Sequence, residues 1–125
     1  MTWLAVGVGG AAGSLARHGV NILFGRVFER AIPYATGTVN LIGSLVIGLL
    51  AGLIASGRLQ MSIESRTFVF VGLLGGFTTF SSFMLDSFTL GHGGEQAVAF
   101  WNVVLQTALG LVAVWAGYRA AAAFA

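Results

Sequence analysis

Charged residues divide the chain into four long uncharged stretches. These stretches are Met1–Ala16, Ala31–Gly57, Thr67–Leu85 and Gln96–Tyr118. A helix that crosses the hydrocarbon core of a bilayer needs about 20 mostly apolar residues. The last three stretches meet this requirement, or nearly so, and the first does if its helix continues through Arg17 to about Phe24. The pattern therefore predicts a single all-α membrane domain over 1–125, with transmembrane helices near 3–24, 33–55, 66–90 and 96–119.

The composition agrees with a membrane protein, since 57% of the residues are hydrophobic and only 8% are charged. Soluble proteins carry about 25% charged residues. The chain has no cysteine, which excludes a disulfide framework and a Cys-ligated metal site. A net charge of +2 provides no basic patch for nucleic acid. Paired carboxylates in mid-membrane and a Ser–His–Asp arrangement are both missing, so we predict a lipid-embedded protein of the plasma membrane that is not an enzyme. In a Gram-negative cell this would be the inner membrane.

The arginines give no preferred orientation in the membrane. With four spans, one side of the membrane holds Arg58, Arg66 and Arg119, and the other side holds Arg17, Arg26 and Arg30. Because orientation follows the excess of basic residues in short loops, a chain without an excess is expected to insert both ways up. Two oppositely oriented copies could then form an antiparallel homodimer about an axis in the membrane plane. The alternative is one fixed orientation, set by features other than the arginine count.

The third span contains a segment that weakens a helix in mid-membrane. Two adjacent glycines begin the run Gly75–Phe83, and four hydroxyl residues follow them. A break at this depth is tolerated only where it is buried in protein or lines a cavity. Broken helices direct backbone carbonyl and N–H groups at ions. We therefore expect this helix to be broken. The alternative is a packing face whose hydroxyls bond back to the preceding turn.

Polar residues follow two other spans at helical spacing. Thr36, Asn40 and Ser44 lie on one face of the second span, and Asn102 and Gln106 lie on one face of the fourth. A single Asn in a membrane helix usually bonds to a neighbouring helix. Two such faces beside a hydroxyl-rich break indicate a polar path instead. The path has many hydrogen-bond donors and no carboxylate, so it suits an anion better than a cation.

Two phenylalanines and two ionisable residues complete the candidate site. Phe80 and Phe83 are three residues apart and face one side of a helix, where their positive ring edges would weakly attract an anion. Ordinary packing is the alternative. Arg17 would cost several kcal/mol if it faced lipid, so it is expected to snorkel, to cap carbonyl groups of the broken helix or to draw anions into a vestibule. Asp86 is either a proton site or, as we favour, a residue at a helix end.

Three motifs resemble those of one known family, the Fluc fluoride channels, which are also called CrcB proteins. The run Gly75–Phe83, with the sequence GGFTTFSSF, resembles their signature in the third helix. The run Gly10–Arg17, GAAGSLAR, resembles their first-helix motif, and Gly37–Gly43, GTVNLIG, resembles the motif around a pore asparagine. The resemblance covers the whole chain, with four spans in matching order.

The resemblance implies a passive, fluoride-specific channel that lets fluoride leave the cytoplasm and so lowers its toxicity. Channels of this family are antiparallel dual-topology homodimers with two pores and a broken third helix. A structural sodium ion, which is not transported, would be held at the dimer centre by the backbone carbonyls of Gly75 and Thr78. The residues implied or predicted along the anion path are Asn40, Thr79, Phe80, Ser81, Ser82, Phe83 and Asn102.

Several positions depart from the family pattern, and two rival functions stay open. Ser82 stands where Thr is frequent, Asp86 where Glu is expected, and Gly110 where some relatives have Ser. One rival is a small dual-topology drug/proton antiporter that resembles the small multidrug resistance proteins. Its mechanism needs a membrane-embedded Glu in the first helix, where this chain has Arg17 and no acid. The other rival is an accessory subunit that packs against a larger channel.

Overall fold

A computed structural model describes residues 1–29 and 33–124 of the chain. Within these residues, the regular structure is entirely helical. We number the helices α1 (Thr2–Val27), α2 (Tyr34–Ala55), α3 (63–77), α4 (Phe80–His92) and α5 (Gln96–Ala123). Helices α3 and α4 together form the third apolar segment. Arg30, which was counted in the orientation argument, lies outside the described residues.

Helix α3 changes its hydrogen-bonding pattern along its length. It opens with one α-helical turn at Ile63–Arg66, which Ser62 caps by accepting a hydrogen bond from the Ser65 N–H. The backbone is then π-helical over Thr67–Leu74 and α-helical again over Gly75–Phe77. The next two residues, Thr78 and Thr79, are extended, with φ/ψ of −84/160° and −153/122°. The helical backbone is therefore interrupted between α3 and α4.

The interruption changes which helix the third segment packs against. Before it, α3 lies mainly against α1. After it, α4 lies against α5, and the described residues of α4 and α1 make no contact. Two extended residues at Thr78 and Thr79 thus carry the chain from one helix pair to the other.

Glycines allow α1 and α3 to cross with their backbones in close contact. A Cβ at Gly76 would lie 2.6 Å from the Gly10 carbonyl oxygen, and one at Gly72 would lie 3.0 Å from the Gly9 Cα. A Cβ at Gly13 would collide with the Leu73 carbonyl oxygen. Small residues at membrane helix crossings permit this approach.

Helices α2 and α5 form the second close crossing. A Cβ at Gly48 would collide with the Val114 carbonyl oxygen, and one at Gly117 would collide with the Leu45 carbonyl oxygen. Near the end of the pair, Arg58 Nη1 donates to the Ala121 carbonyl oxygen over 3.2 Å, which satisfies a carbonyl in the last turn of α5.

Among the described residues, three helical segments are long and apolar enough to cross a membrane: Tyr34–Ala55, Ile63–His92 and Gln96–Ala123. At most 22% of the residues in each of these apolar windows are buried inside the chain. Helix α1 has a sufficient length of 26 residues but is less apolar, with Arg17 and His18 in its interior. Most large apolar side chains therefore face outward, which suits a protein surrounded by lipid.

Candidate functional site

The backbone at the interruption is paired with the side chain of Asn40 from α2. The Thr79 N–H donates to Asn40 Oδ1 over 2.8 Å, and Asn40 Nδ2 donates to the Thr79 carbonyl oxygen over 3.1 Å. One carboxamide thus satisfies both backbone groups of an extended residue. Because unpaired backbone groups cost several kcal/mol in the absence of water, this pairing stabilises the extended backbone at Thr79.

Hydrogen bonds continue from Asn40 through α5 and back to α4. Asn40 Nδ2 also donates to Gln106 Oε1 over 3.0 Å, and Gln106 Nε2 donates to Asn102 Oδ1 over 2.8 Å. Asn102 Nδ2 then donates to Ser87 Oγ over 2.9 Å, and the Ser87 hydroxyl donates to the Phe83 carbonyl oxygen over 2.8 Å. Each side-chain amide in this network accepts through its oxygen and donates through its nitrogen towards Phe83. The Thr79 N–H and the Phe83 carbonyl oxygen, at the two ends, fix this orientation.

Hydroxyl groups cluster at the start of α4. The Thr79 hydroxyl caps the helix by accepting a hydrogen bond from the Ser82 N–H over 3.2 Å. It also lies 3.1 Å from the Ser82 hydroxyl and 3.5 Å from that of Ser81. The Thr78 hydroxyl instead donates back to the Leu74 carbonyl oxygen over 2.9 Å. The backward bonding that was the alternative to a break therefore occurs at Thr78, beside the interruption.

The two phenylalanines lie in an edge-to-face arrangement. The rings of Phe80 and Phe83 have centroids 6.0 Å apart and planes inclined by 81°. Phe83 is buried, with 7% of its surface exposed, whereas Phe80 is 73% exposed. Both rings line a cavity of about 420 Å³, together with Asn40 and Thr79. Four predicted pathway residues thus border one space.

Two carbonyl oxygens lose their usual helical donors at the interruption. In a continuous helix the Thr79 N–H would donate to the Gly75 carbonyl and the Ser82 N–H to that of Thr78. Here these N–H groups donate to Asn40 Oδ1 and to the Thr79 hydroxyl. Gly75 is exposed on the surface of the single chain. Gly75 and Thr78 also line the cavity beside Asn40.

Five predicted residues do not line this cavity. Two of them, Ser81 and Ser82, are connected to it through the Thr79 hydroxyl. The other three lie away from it. Asn102 is 7% exposed and borders a second cavity of about 430 Å³ between α2 and α5, so it joins the site only through Gln106. Arg17 is half-buried and makes no hydrogen bond or ion pair with any residue that the structure describes. Asp86 is likewise half-buried, in the middle of α4 and not at its end.

The predicted site omitted two residues that the structure connects to it. Gln106 was recognised only as part of a polar face, yet it is the direct partner of Asn40. Its spacing of four residues from Asn102 was the available signal. Ser87 gave no signal, since a lone serine in an apolar helix is common and its partner Asn102 comes from another helix.

Comparison with known proteins shows similarity along almost the entire chain. Residues 4–118 match the family described as CrcB-like protein, Camphor Resistance (CrcB). A protein of Paracoccus denitrificans named fluoride-specific ion channel FluC is 48% identical over 116 residues, which cover 93% of this chain and 90% of the relative. The fluoride-specific ion channel FluC 1 of Symbiobacterium thermophilum is 44% identical over 118 residues, 94% of each chain. A FluC protein of Opitutus terrae is 42% identical over 120 residues, 95% of this chain and 91% of the relative.

Proposed function

The chain belongs to the CrcB family, and we propose that it is a fluoride-specific ion channel of the plasma membrane. It is a multi-pass membrane protein and not an enzyme. It conducts fluoride passively out of the cytoplasm and so lowers fluoride toxicity. The names of relatives that are 42–48% identical over nine-tenths of the chain support this function.

The observation that carries the proposal is the interrupted helix beside Asn40. The N-terminus of α4 is the positive end of a helix dipole, and its first turn has N–H groups without helical partners. Hydroxyls of Thr79, Ser81 and Ser82 surround that end. Asn40, Phe80 and Phe83 line the cavity beside this helix end. A small anion is the ligand that this set of donors and positive edges fits.

We also propose that Gly75 and Thr78 hold a structural sodium ion through their backbone carbonyl oxygens. Hard cations prefer oxygen ligands, and the negative end of α3 lies here. The loss of the usual helical donors to these two carbonyls supports the assignment. The ion would neutralise carbonyl dipoles that have no water at this depth, and it would not be transported.

We propose that the chain has four membrane-spanning segments, with α1 as the first and with the third broken in mid-span. Two copies of this chain would assemble into an antiparallel homodimer. Broken backbone at membrane depth must be covered by protein or line a cavity. In the single chain, however, Gly75 is exposed and Phe80 is 73% exposed. A second copy, inserted in the opposite orientation, would cover this surface and complete the pathway.

The function is tested by fluoride efflux from liposomes that contain only this protein. We expect fluoride to leave down its gradient without an imposed proton gradient, and chloride to be retained. Efflux that requires a proton gradient would instead support the drug/proton antiporter, and no flux from a well-folded sample would support the accessory subunit.

The sodium site is tested at Gly75. A Cβ there has only the Phe70 carbonyl oxygen nearby, at 3.7 Å, so the first atom of a side chain is accommodated within one chain. We expect Gly75→Phe to weaken the dimer, whereas Thr78→Ala, which keeps the carbonyl, would retain sodium. Dimers of normal stability in Gly75→Phe, measured by cross-linking in membranes, would contradict a sodium site at the dimer centre.

A further inference from the structure

Both N–H groups of the Asn40 carboxamide already have hydrogen-bond acceptors. A carboxamide has two N–H donors. One of those of Asn40 bonds to the Thr79 carbonyl oxygen over 3.1 Å, and the other to Gln106 Oε1 over 3.0 Å. An anion that accepts a hydrogen bond from Asn40 must therefore displace one of these two oxygens.

The two acceptors differ in how firmly they are attached. Thr79 engages Asn40 twice, because its N–H donates to Asn40 Oδ1 while its carbonyl accepts from Nδ2. Breaking that pair would also expose backbone groups of the interrupted helix. Gln106 engages Asn40 through a single bond between side chains. The Gln106 oxygen is therefore the acceptor that costs less to displace.

The structure also provides room for Gln106 to move. Asn40 borders the cavity that contains Phe80 and Phe83, whereas Gln106 borders the second cavity, between α2 and α5. The glycine at position 37 leaves space beside the Gln106 amide, since a Cβ there would still lie 3.7 Å from Nε2. Gln106 Nε2 remains tied to Asn102 Oδ1, which would keep the displaced side chain near its original position.

We infer that Gln106 Oε1 occupies the place of the anion at Asn40 and is exchanged for fluoride each time an ion passes. This inference rests on the proposed function and adds a residue to it. Gln106 satisfies the second N–H of Asn40 between ions, and the Asn102–Ser87 bonds aim its oxygen at Asn40. Gln106 therefore lowers the affinity for fluoride at this position, because the ion must replace an existing acceptor.

Fluoride titration of the full-length protein, followed through the side-chain NMR signals of 15N-labelled asparagine, tests this role. In wild type, fluoride should shift the Asn40 amide signal. In Gln106→Met, which keeps the length of the side chain but has no acceptor of comparable strength, half of the shift should occur at about three- to tenfold lower fluoride concentration, the effect of removing one hydrogen bond. Gln106→Leu serves as a second variant if the methionine variant does not fold.

Gln96→Met is the matched control, since it makes the same substitution on an exposed residue of the same helix. It should titrate like wild type. An unchanged or higher half-shift concentration in the Gln106 variants would overturn the inference, because a purely structural role predicts no gain in affinity. An Asn40 signal that fluoride does not move in wild type would overturn it as well. Liposome efflux of the same samples reports separately on the proposed function.

Discussion

Asn40 and Asn102 are chemically identical, and their surroundings give them different tasks. Asn40 is half-buried and pairs with the backbone of an extended residue, so its amide borders the cavity at the interruption. Asn102 is buried and, among the described residues, bonds only to the side chains of Gln106 and Ser87. Asn40 therefore borders the cavity through which we propose that fluoride passes, whereas Asn102 bonds to other side chains.

Asn40→Asp should abolish conduction and also lower the stability of the protein, because the carboxylate has no N–H for the Thr79 carbonyl oxygen. The carboxylate can accept the Thr79 N–H as Asn40 Oδ1 does, but it has no N–H for an anion and adds a negative charge. Repulsion of several kcal/mol between like charges predicts at least about a hundredfold loss of fluoride flux. Liposome efflux at equal protein loading measures this, and elution as a single species in size-exclusion chromatography controls for folding. Flux near that of wild type would remove Asn40 from the pathway.

Phe80→Ile should reduce fluoride flux strongly while the protein still folds. Isoleucine retains apolar bulk but has no polarised ring edge, and the edge-to-face contact with Phe83 is lost. An aromatic contribution of about 1 kcal/mol corresponds to a decrease of roughly five- to tenfold. The control is Phe100→Ile, at a phenylalanine that is 60% exposed on another helix. If both variants conduct equally, Phe80 is a packing residue.

Between helices, the spacing of α1 and α3 depends on glycines whose neighbours are backbone atoms. Backbone atoms cannot rotate away as a flexible side chain can, so an added methyl group must separate the helices. The same crossing positions Gly75–Phe77, the last turn of α3, and with it the start of the interruption.

Gly13→Ala should therefore destabilise the protein by about 1–3 kcal/mol, the usual cost of overpacking. The new Cβ would collide with the Leu73 carbonyl oxygen. Gly7→Ala on the same helix is the matched control, since a Cβ at Gly7 has nothing within 4 Å. That variant should be neutral or slightly stabilised, because alanine favours helix over glycine. Thermal unfolding in detergent compares the two, and equal midpoints would show that the crossing is not tightly packed.

Across the entire chain, few side chains are buried. Val39 is the only large side chain among the described residues that is fully buried. Apolar surface that faces lipid needs no partner, but the polar backbone near Gly75 does. The distribution of exposed groups therefore favours a dimer whose interface includes the interruption.

Labelling of single cysteines tests dual topology. The chain contains no cysteine, so His92→Cys, at the exposed last residue of α4, introduces one reactive site. An impermeant thiol reagent should label about half of these molecules from each side of the membrane, as the nearly equal arginine counts predict. Gln60→Cys, between α2 and α3, should behave in the same way. Complete protection of one site and complete labelling of the other would establish a fixed orientation.

Hydropathy and charge in the sequence were sufficient to predict an all-helical membrane protein, because crossing a bilayer requires long apolar helices wherever they later pack. The motif around Gly75–Phe83 was sufficient to suggest the family, which the comparisons confirm. The assigned roles of Asn40, Phe80, Gly75 and the other site residues stay predictions. Their type and spacing made them candidates, but neither property states which atoms they contact.

The tertiary structure alone decided the partners within the site. Asn40 is 39 residues from Thr79 and 66 from Gln106, and no local pattern encodes pairs so distant. The structure connected Gln106 and Ser87 to Asn40 and placed Asn102 beside a different cavity. The physical reason is that a side-chain amide can bond to any polar group within reach, so helix packing selects its partner. Packing here follows from glycines that let α2 meet α5 and from two extended residues that direct α4 towards them.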